Sequence, residues 1–462
     1  MTSLLSRNDS VQFGEHTRPR VFQRVPSPVG SRFKVQSFLS FAIVLLVLDL
    51  RAQDQPPSLT LSQAHETALK NHPRISVADL RALAARQVTR EARSGFFPTV
   101  YSSVVAVGTA RENTRLAASG GLNNPNIFER NAEGLMLSQL ITDFGRTANL
   151  TGSAKLRAQA EENNAQATRE QILLEVDAAY YQALQAKAVA RVANQTIATR
   201  QSFLDQVTAL ATNKLRSELD VSFARVNLEE SKLLLSKAQN DQEAAFSALS
   251  ALMGVRESKT YRLAEEPLPP DVSTNASGFV EQALQMRPDL LRLRNERDAS
   301  LRFAKAERAA RYPTIAAVGS AGVIPVRDPQ LPENYAAAGL TLNLPLFAGG
   351  LYAARQKEAE LRAKAVDESL RDAENNAIRD VRIAWLNARN AYDRLSITSQ
   401  LLENAKRSFG LAQARYANGA SSIVELNQAQ LNEISAEIEY ANTKYEYLLR
   451  LSALNFQTGS LH

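Results

Sequence analysis

The sequence predicts a mainly α-helical protein with a small β part, built from one helix–strand–strand–helix–helix unit used twice. Three observations carry this reading: an internal repeat at constant shift, two proline-free helical stretches of 69 residues each, and short paired runs with strand-like alternation. Ala68-Leu69 and Pro73 recur as Ala283-Leu284 and Pro288, a shift of 215 residues. Phe97-Pro98-Thr99-Val100 recurs as Tyr312-Pro313-Thr314-Ile315 at the same shift. Past the following loop the shift becomes 205: Gly145 falls on Gly350, Val176 on Val381, Tyr180 on Trp385, Ser217 on Ser422, Asp220 on Glu425 and Gly254 on Gly459. One length difference in one loop accounts for the change, so two copies of a single structural unit make up the chain.

Residues 1–52 read as an export signal. Arg32 and Lys34 precede the apolar run Phe38–Leu48, and Leu50-Arg51-Ala52 offers a small residue at a cleavage point. A membrane anchor is the alternative, but roughly 17 apolar residues are needed to span a bilayer and Asp49 ends the run early. The net charge of +6 does not indicate nucleic acid as a partner. The leader alone holds seven Lys/Arg against three Asp/Glu. There is no cysteine, which excludes disulfides, thiolate metal sites and a lipid anchor on an N-terminal cysteine.

The first repeat occupies 53–254, a linker 255–275, and the second repeat 276–462. Each repeat opens with a helix, over 60–95 and 276–310, interrupted near Pro73 or Pro288 and stopped by Pro98 or Pro313. Strands follow at about 99–109 and 133–143 in the first repeat, and at about 314–326 and 334–347 in the second. The clearest is the last, where Ala336, Ala338, Leu340, Leu342 and Leu344 alternate with small or polar residues such as Thr341 and Asn343. Ten such residues at ~3.3 Å each, tilted about 45°, span the apolar layer of an outer-membrane barrel. A half-buried hairpin of a soluble domain has the same pattern.

Helical hairpins then run over 144–253 and 349–456. Their long first arms are rich in Ala, Leu, Gln, Glu, Lys and Arg, and as single helices reach roughly 100 Å. The arms break at Asn213-Lys214 and Asn418-Gly419, the second an evident turn dipeptide. Their small, intermittent apolar positions suit helices packed side by side in a cylinder better than a two-stranded rod. Four strands cannot close a barrel in lipid, where about eight is the minimum. The chain therefore needs further copies if the strands enter a membrane; two copies give eight strands and three give twelve.

Together the leader, the tandem repeat, and the anchors Ala68-Leu69-x-x-x-Pro73, Phe97-Pro98, Phe144-Gly145-Arg146 and Phe347-x-Gly349-Gly350 resemble the TolC family of outer-membrane efflux channels. The resemblance covers about 58–460. It implies a homotrimer with a 12-stranded membrane β-barrel and a long α-helical barrel extending into the periplasm. It also implies a passive exit duct for small molecules or proteins, partnered by a periplasmic adaptor, an inner-membrane pump and outer-membrane lipid.

The resemblance also assigns roles at the periplasmic tip. Tyr416 matches a tyrosine that links to the neighbouring coil, Asp220 the acid that partners it, and Glu425 an acid lining the narrowest ring. Lys214, Leu215, Asn418 and Gly419 sit in the turns that meet the adaptor. Lys214 departs from the glycine usual in that turn, and Gln428 stands where some members carry a second acid. Read without the resemblance, Asp220 and Glu425 are solvated acids on helix surfaces. The aromatics Phe96, Phe97, Phe144, Tyr312 and Phe347 form an interfacial girdle or plug the barrel–tunnel junction. His65 and His72 read as a surface pair rather than a metal site. No phosphate loop, nucleophile elbow or metalloprotease motif is present, so neither enzymatic activity nor a cofactor is expected. The rival to a channel is an exported helical scaffold whose hairpins fold against its own ends.

Overall fold

The computed structural model describes residues 58–107, 130–256, 261–272, 274–327 and 332–461. The export segment and positions 108–109 of the first expected strand lie outside them. In the first repeat the elements are β1 (Ser58–Leu59), α1 (Leu61–Asn71), α2 (Pro73–Ser94), β2 (Thr99–Val107), β3 (Arg130–Thr142), α3 (Arg146–Thr212) and α4 (Glu218–Leu252). After β4 (Arg262–Leu263) come α5 (Ser277–Met286), α6 (Pro288–Ala309), β5 (Thr314–Val326), β6 (Asn334–Asn343), α7 (Leu351–Ala417) and α8 (Ile423–Thr458).

Local chemistry sets these boundaries. Thr60 and Gln63 cap α1 reciprocally, through Gln63 N to Thr60 Oγ1 at 3.2 Å and Thr60 N to Gln63 Oε1 at 3.0 Å. Pro73 and Pro288 each start a new helix, where their missing amide hydrogen costs nothing. The long helices start two residues later than expected, at Arg146 and Leu351, because Gly145 (φ 90°) and Gly350 (φ 83°) hold left-handed backbone just before them. Asp143 anchors the first corner, accepting from Gly145 N at 3.2 Å and Thr147 N at 2.7 Å. The strand expected to reach 347 ends at Asn343. Pro345 cannot donate to a ladder, and the chain leaves the sheet there.

The four strands form one antiparallel sheet in the order β2-β3-β5-β6. Its edges are β2 and β6. Register places two sets of side chains on opposite faces. One carries Val100, Val104, Leu135, Leu137, Ile315, Ala317, Ala321, Val323, Ala336, Ala338, Leu340 and Leu342. The other carries Thr99, Ser103, Ser138, Thr314, Ser320, Thr341 and Asn343 among its residues. The first face is the richer in large aliphatic side chains, though Ser102, Glu133, Gln139 and Asn334 also lie on it, while the second mixes its hydroxyls with Tyr101, Val105, Met136, Leu140 and Val318.

Both long helices have 67 residues, and each folds back at a turn onto a shorter partner. α3 packs on α4 and α7 on α8, while contacts between α3 and α8 join the two hairpins. Near the middle, Ile172, Val176, Tyr180, Leu184, Leu249 and Met253 form the main core with Tyr445 and Leu448. Tyr180 lies in it as a packing residue, and its hydroxyl also bridges the carbonyls of Leu59 (2.9 Å) and Ala264 (2.7 Å). Leu59 ends β1 and Ala264 follows β4 in the linker, and the parallel pairing of those two strands is a feature the sequence did not suggest.

Among the described residues each hairpin has an uncovered apolar face. α4 exposes Leu219, Phe223, Val226 and Leu233, and α7 exposes Ile383, Leu386, Ile397, Leu401 and Leu411. Among the described residues no helix is long and apolar enough to cross a membrane.

Candidate functional site

The two tip turns are built alike because they are repeats of each other. Asn213 Nδ2 donates to Ala209 O at 2.8 Å, and Asn418 Nδ2 to Ala414 O at 2.9 Å, closing the last carbonyls of the long helices. The next residue in each turn is left-handed: Gly419 at φ 71°, and Lys214 at φ 60°. The lysine departure noted in the sequence is therefore a side chain in backbone that favours glycine. Lys214, Leu215, Asn418 and Gly419 are all exposed.

Each shorter helix then begins on a serine cap. Ser217 Oγ accepts from Asp220 N at 3.2 Å, and Asp220 Oδ2 accepts from Ser217 N at 3.5 Å. Ser422 Oγ accepts from Glu425 N at 3.3 Å. Glu425 does not return the bond. Its longer side chain turns instead to Arg415, Oε1 to Nη1 at 3.2 Å. Equivalent acids thus do different work: Asp220 closes a capping box, and Glu425 pairs across its turn from an exposed position.

Tyr416 is buried at 5% exposure. Its ring packs on Phe203 of α3, centroids 5.6 Å apart, within a cluster that includes Val207, Ile423 and Leu426. The expected link to Asp220 is not a hydrogen bond, since Tyr416 Oη has no partner among the described residues. Arg216 takes that place. Its guanidinium lies over the Tyr416 ring at 4.2 Å and donates from Nη2 to Tyr416 O at 2.6 Å. Burial pushes the Tyr416 hydroxyl pKa up, the nearby Asp220 carboxylate adds to this, and Arg216 partly offsets it. Further up the seam, Asn227 Nδ2 donates to Asn427 Oδ1 at 2.8 Å and Gln185 Nε2 to Asn442 Oδ1 at 2.8 Å.

Sequence reasoning missed Arg216, Phe203 and Arg415. Arg216 corresponds by repeat to Ser421, so duplication gave no signal for it. The two histidines are not a surface pair. His65 bonds to buried Asp177, and His72 Nδ1 accepts from Arg74 N at 3.2 Å as a cap of α2. No group of side chains able to hold a metal occurs among the described residues. The strand-end aromatics are exposed, Phe347 at 90%, and Phe144 meets Tyr312 at 5.9 Å.

Two long helical hairpins hung from one four-stranded sheet make the fold of solved outer-membrane channels. The sequence pattern of the outer membrane efflux protein family matches residues 64–255 and 279–460, and the chain belongs to that family. Outer membrane protein TolC of Escherichia coli (strain K12) is 23% identical over 422 residues, covering 87% of this chain and 82% of the relative. The alkaline protease secretion protein AprF of Pseudomonas aeruginosa is 23% identical over 423 residues, covering 87% and 85%. The crystal structure of the open state of the Neisseria gonorrhoeae MtrE outer membrane channel superposes with a TM-score of 0.72 at 21% identity, covering 87% and 89%. That likeness shows a shared fold.

Proposed function

We propose that this chain is one subunit of a homotrimeric exit duct in the outer membrane, with its helices extending into the periplasm. It is passive. A periplasmic adaptor docks on the tip turns, and an inner-membrane pump supplies the energy. The cargo is small molecules or proteins, as the names of a similar toluene efflux pump outer membrane protein and of the alkaline protease secretion protein suggest.

One observation carries this reading: among the described residues the sheet leaves two edges, β2 and β6, unpaired, and the face with Leu340 and Leu342 is the richer in large aliphatic side chains. Lipid offers no water to unpaired backbone, so these edges must meet other strands. β6 runs antiparallel to β5, and counting along the sheet makes it antiparallel to β2 as well. A β6 edge therefore fits the β2 edge of the next copy, and three copies close a ring of about 12 strands. The uncovered apolar faces of α4 and α7 support the same head-to-tail contact below the sheet.

At the tip, Asp220, Tyr416 and Glu425 form the gate. Tyr416 holds the second hairpin against the first, Asp220 fixes the start of α4 beside it, and three Glu425 carboxylates face one axis. Such a ring favours cations.

Membrane fractionation and unheated gel electrophoresis test the assembly. A heat-sensitive trimer in the outer-membrane fraction is expected. A water-soluble periplasmic monomer would replace the duct with an exported helical scaffold.

A further inference from the structure

One row of residues crosses the whole sheet near its loop end. Ser103, Gly134, Gly322 and Tyr335 lie in register from β2 to β6, on the hydroxyl-bearing face. The Tyr335 ring does not stand out from this wall. It reaches across β5 to β3, and the two glycines make the space for it. A Cβ on Gly322 would meet the backbone first, 2.2 Å from Glu133 O, and would also lie 2.6 Å from Tyr335 Oη. A Cβ on Gly134 would overlap that hydroxyl and come within 3.1 Å of Cζ. Tyr335 is accordingly half-buried although it lies in the second position of an edge strand.

Glycine inside a strand weakens it, and here two of them face each other on adjacent strands. An aromatic laid over strand glycines restores lost packing. That alone explains stability, but the location adds a second effect. On the opposite face the same stretch presents Ala336, Ala338, Leu340 and Leu342, the lipid-facing set. Tyr335 is then the largest side chain of its row on the lumen side. Three copies would place three phenol rings at one level of a narrow pore.

We propose that the Gly134–Gly322 notch seats the Tyr335 ring flat against the barrel wall and so sets the bore at the loop end for bulky cargo. This rests on the duct reading above. Tyr335 is a bore-setting residue, and Gly134 positions it.

The sequence has no cysteine, so one introduced thiol reports access in the full chain in whole cells. Ser320→Cys lies one step inward on the same face, in register with Ala337 and Met136. Ala336→Cys lies on the other face as a control. Membrane-impermeant sulfonated maleimides, one small and one bulky, are added from outside, with rates normalised to trimer on an unheated gel. S320C is expected to react and A336C not; no reaction at S320C would overturn the duct reading and this proposal with it. Adding Gly134→Ala is expected to slow the bulky probe on the order of tenfold while sparing the small one. Adding Tyr335→Ala as well is expected to restore the bulky rate. An unchanged bulky rate in G134A, or a slowed rate that persists in the double variant, would overturn the proposal and leave the duct intact. If G134A does not assemble, Tyr335→Trp is the second variant: its larger ring overfills the notch and slows the bulky probe, and an unchanged rate overturns the proposal.

Discussion

Arg216 holds Tyr416 twice, by its guanidinium 4.2 Å above the ring and by a 2.6 Å bond to the tyrosine's own carbonyl. One side chain from the first tip turn thus fixes the last turn of the second long helix. The grip is local to one chain and needs no other copy.

Replacing Arg216 with alanine removes a cation–π contact and a charge-assisted hydrogen bond, together about 1.5–3 kcal/mol of tip coupling. In reconstituted channels the open fraction is expected to rise tenfold or more. Lysine keeps the charge but not the planar stack, and is expected to fall between.

Tyr416→Phe tests the gate role proposed for Tyr416 differently. The hydroxyl has no partner among the described residues, so its loss leaves single-channel leak near the starting level, whereas Tyr416→Ala opens the tip. A leak in the phenylalanine variant as large as in the alanine variant would show that the hydroxyl bonds to another copy.

Glu425 is expected to govern block by divalent cations. Glu425→Ala reduces the block, and Arg415→Ala strengthens it by freeing the carboxylate that Arg415 now holds at 3.2 Å. Current recordings across a planar bilayer at graded Mg2+ concentration check both.

Lys214→Gly is expected to stabilise the tip, because a left-handed L-residue costs about 1 kcal/mol that glycine does not. Hydrogen exchange at 210–216 slows in the variant if its turn is the strained one of the pair.

The linker's attachment to α8 is expected to respond to pH. Glu265 accepts from Lys444 Nζ at 2.8 Å, a bond that lowers the glutamate pKa despite burial, with Lys444, Arg191 and Lys187 charges assisting. Burial acts to lower the Lys444 pKa, yet the Glu265 bond and nearby charges raise it. A depressed acid contributes stability above its unfolded value of about 4.3, lost as pH falls through the folded value. A raised lysine contributes below about 10.4, lost as pH climbs through its folded value. Exchange protection of 261–272 is therefore expected to hold across neutral pH and to drop below the ordinary glutamate range, and Lys444→Met is expected to remove that acid dependence.

Much of this architecture was legible in the sequence because proline, glycine and repetition act locally. Pro73 and Pro288 divide helices where their chemistry says they must, and the 205-residue shift aligns Ser217 with Ser422 at both caps. Contacts between hairpins were not legible. Arg216 meets Tyr416 across 200 residues of chain, and its repeat mate Ser421 has no such reach. The β1–β4 pair was hidden for another reason: two residues are too few to show alternation. Asp220 and Glu425 occupy matched positions, yet one extra methylene sends Glu425 to Arg415, a choice only the folded turn reveals.

The unpaired rims of the sheet also bear on inheritance. A wall finished by neighbours makes every assembly only as sound as its worst member. If half the molecules made in a cell carry a rim defect, about one in eight of the proposed trimers contains none of them. Lesions along β2 or β6 should therefore act dominantly, while a chain that is never made should not.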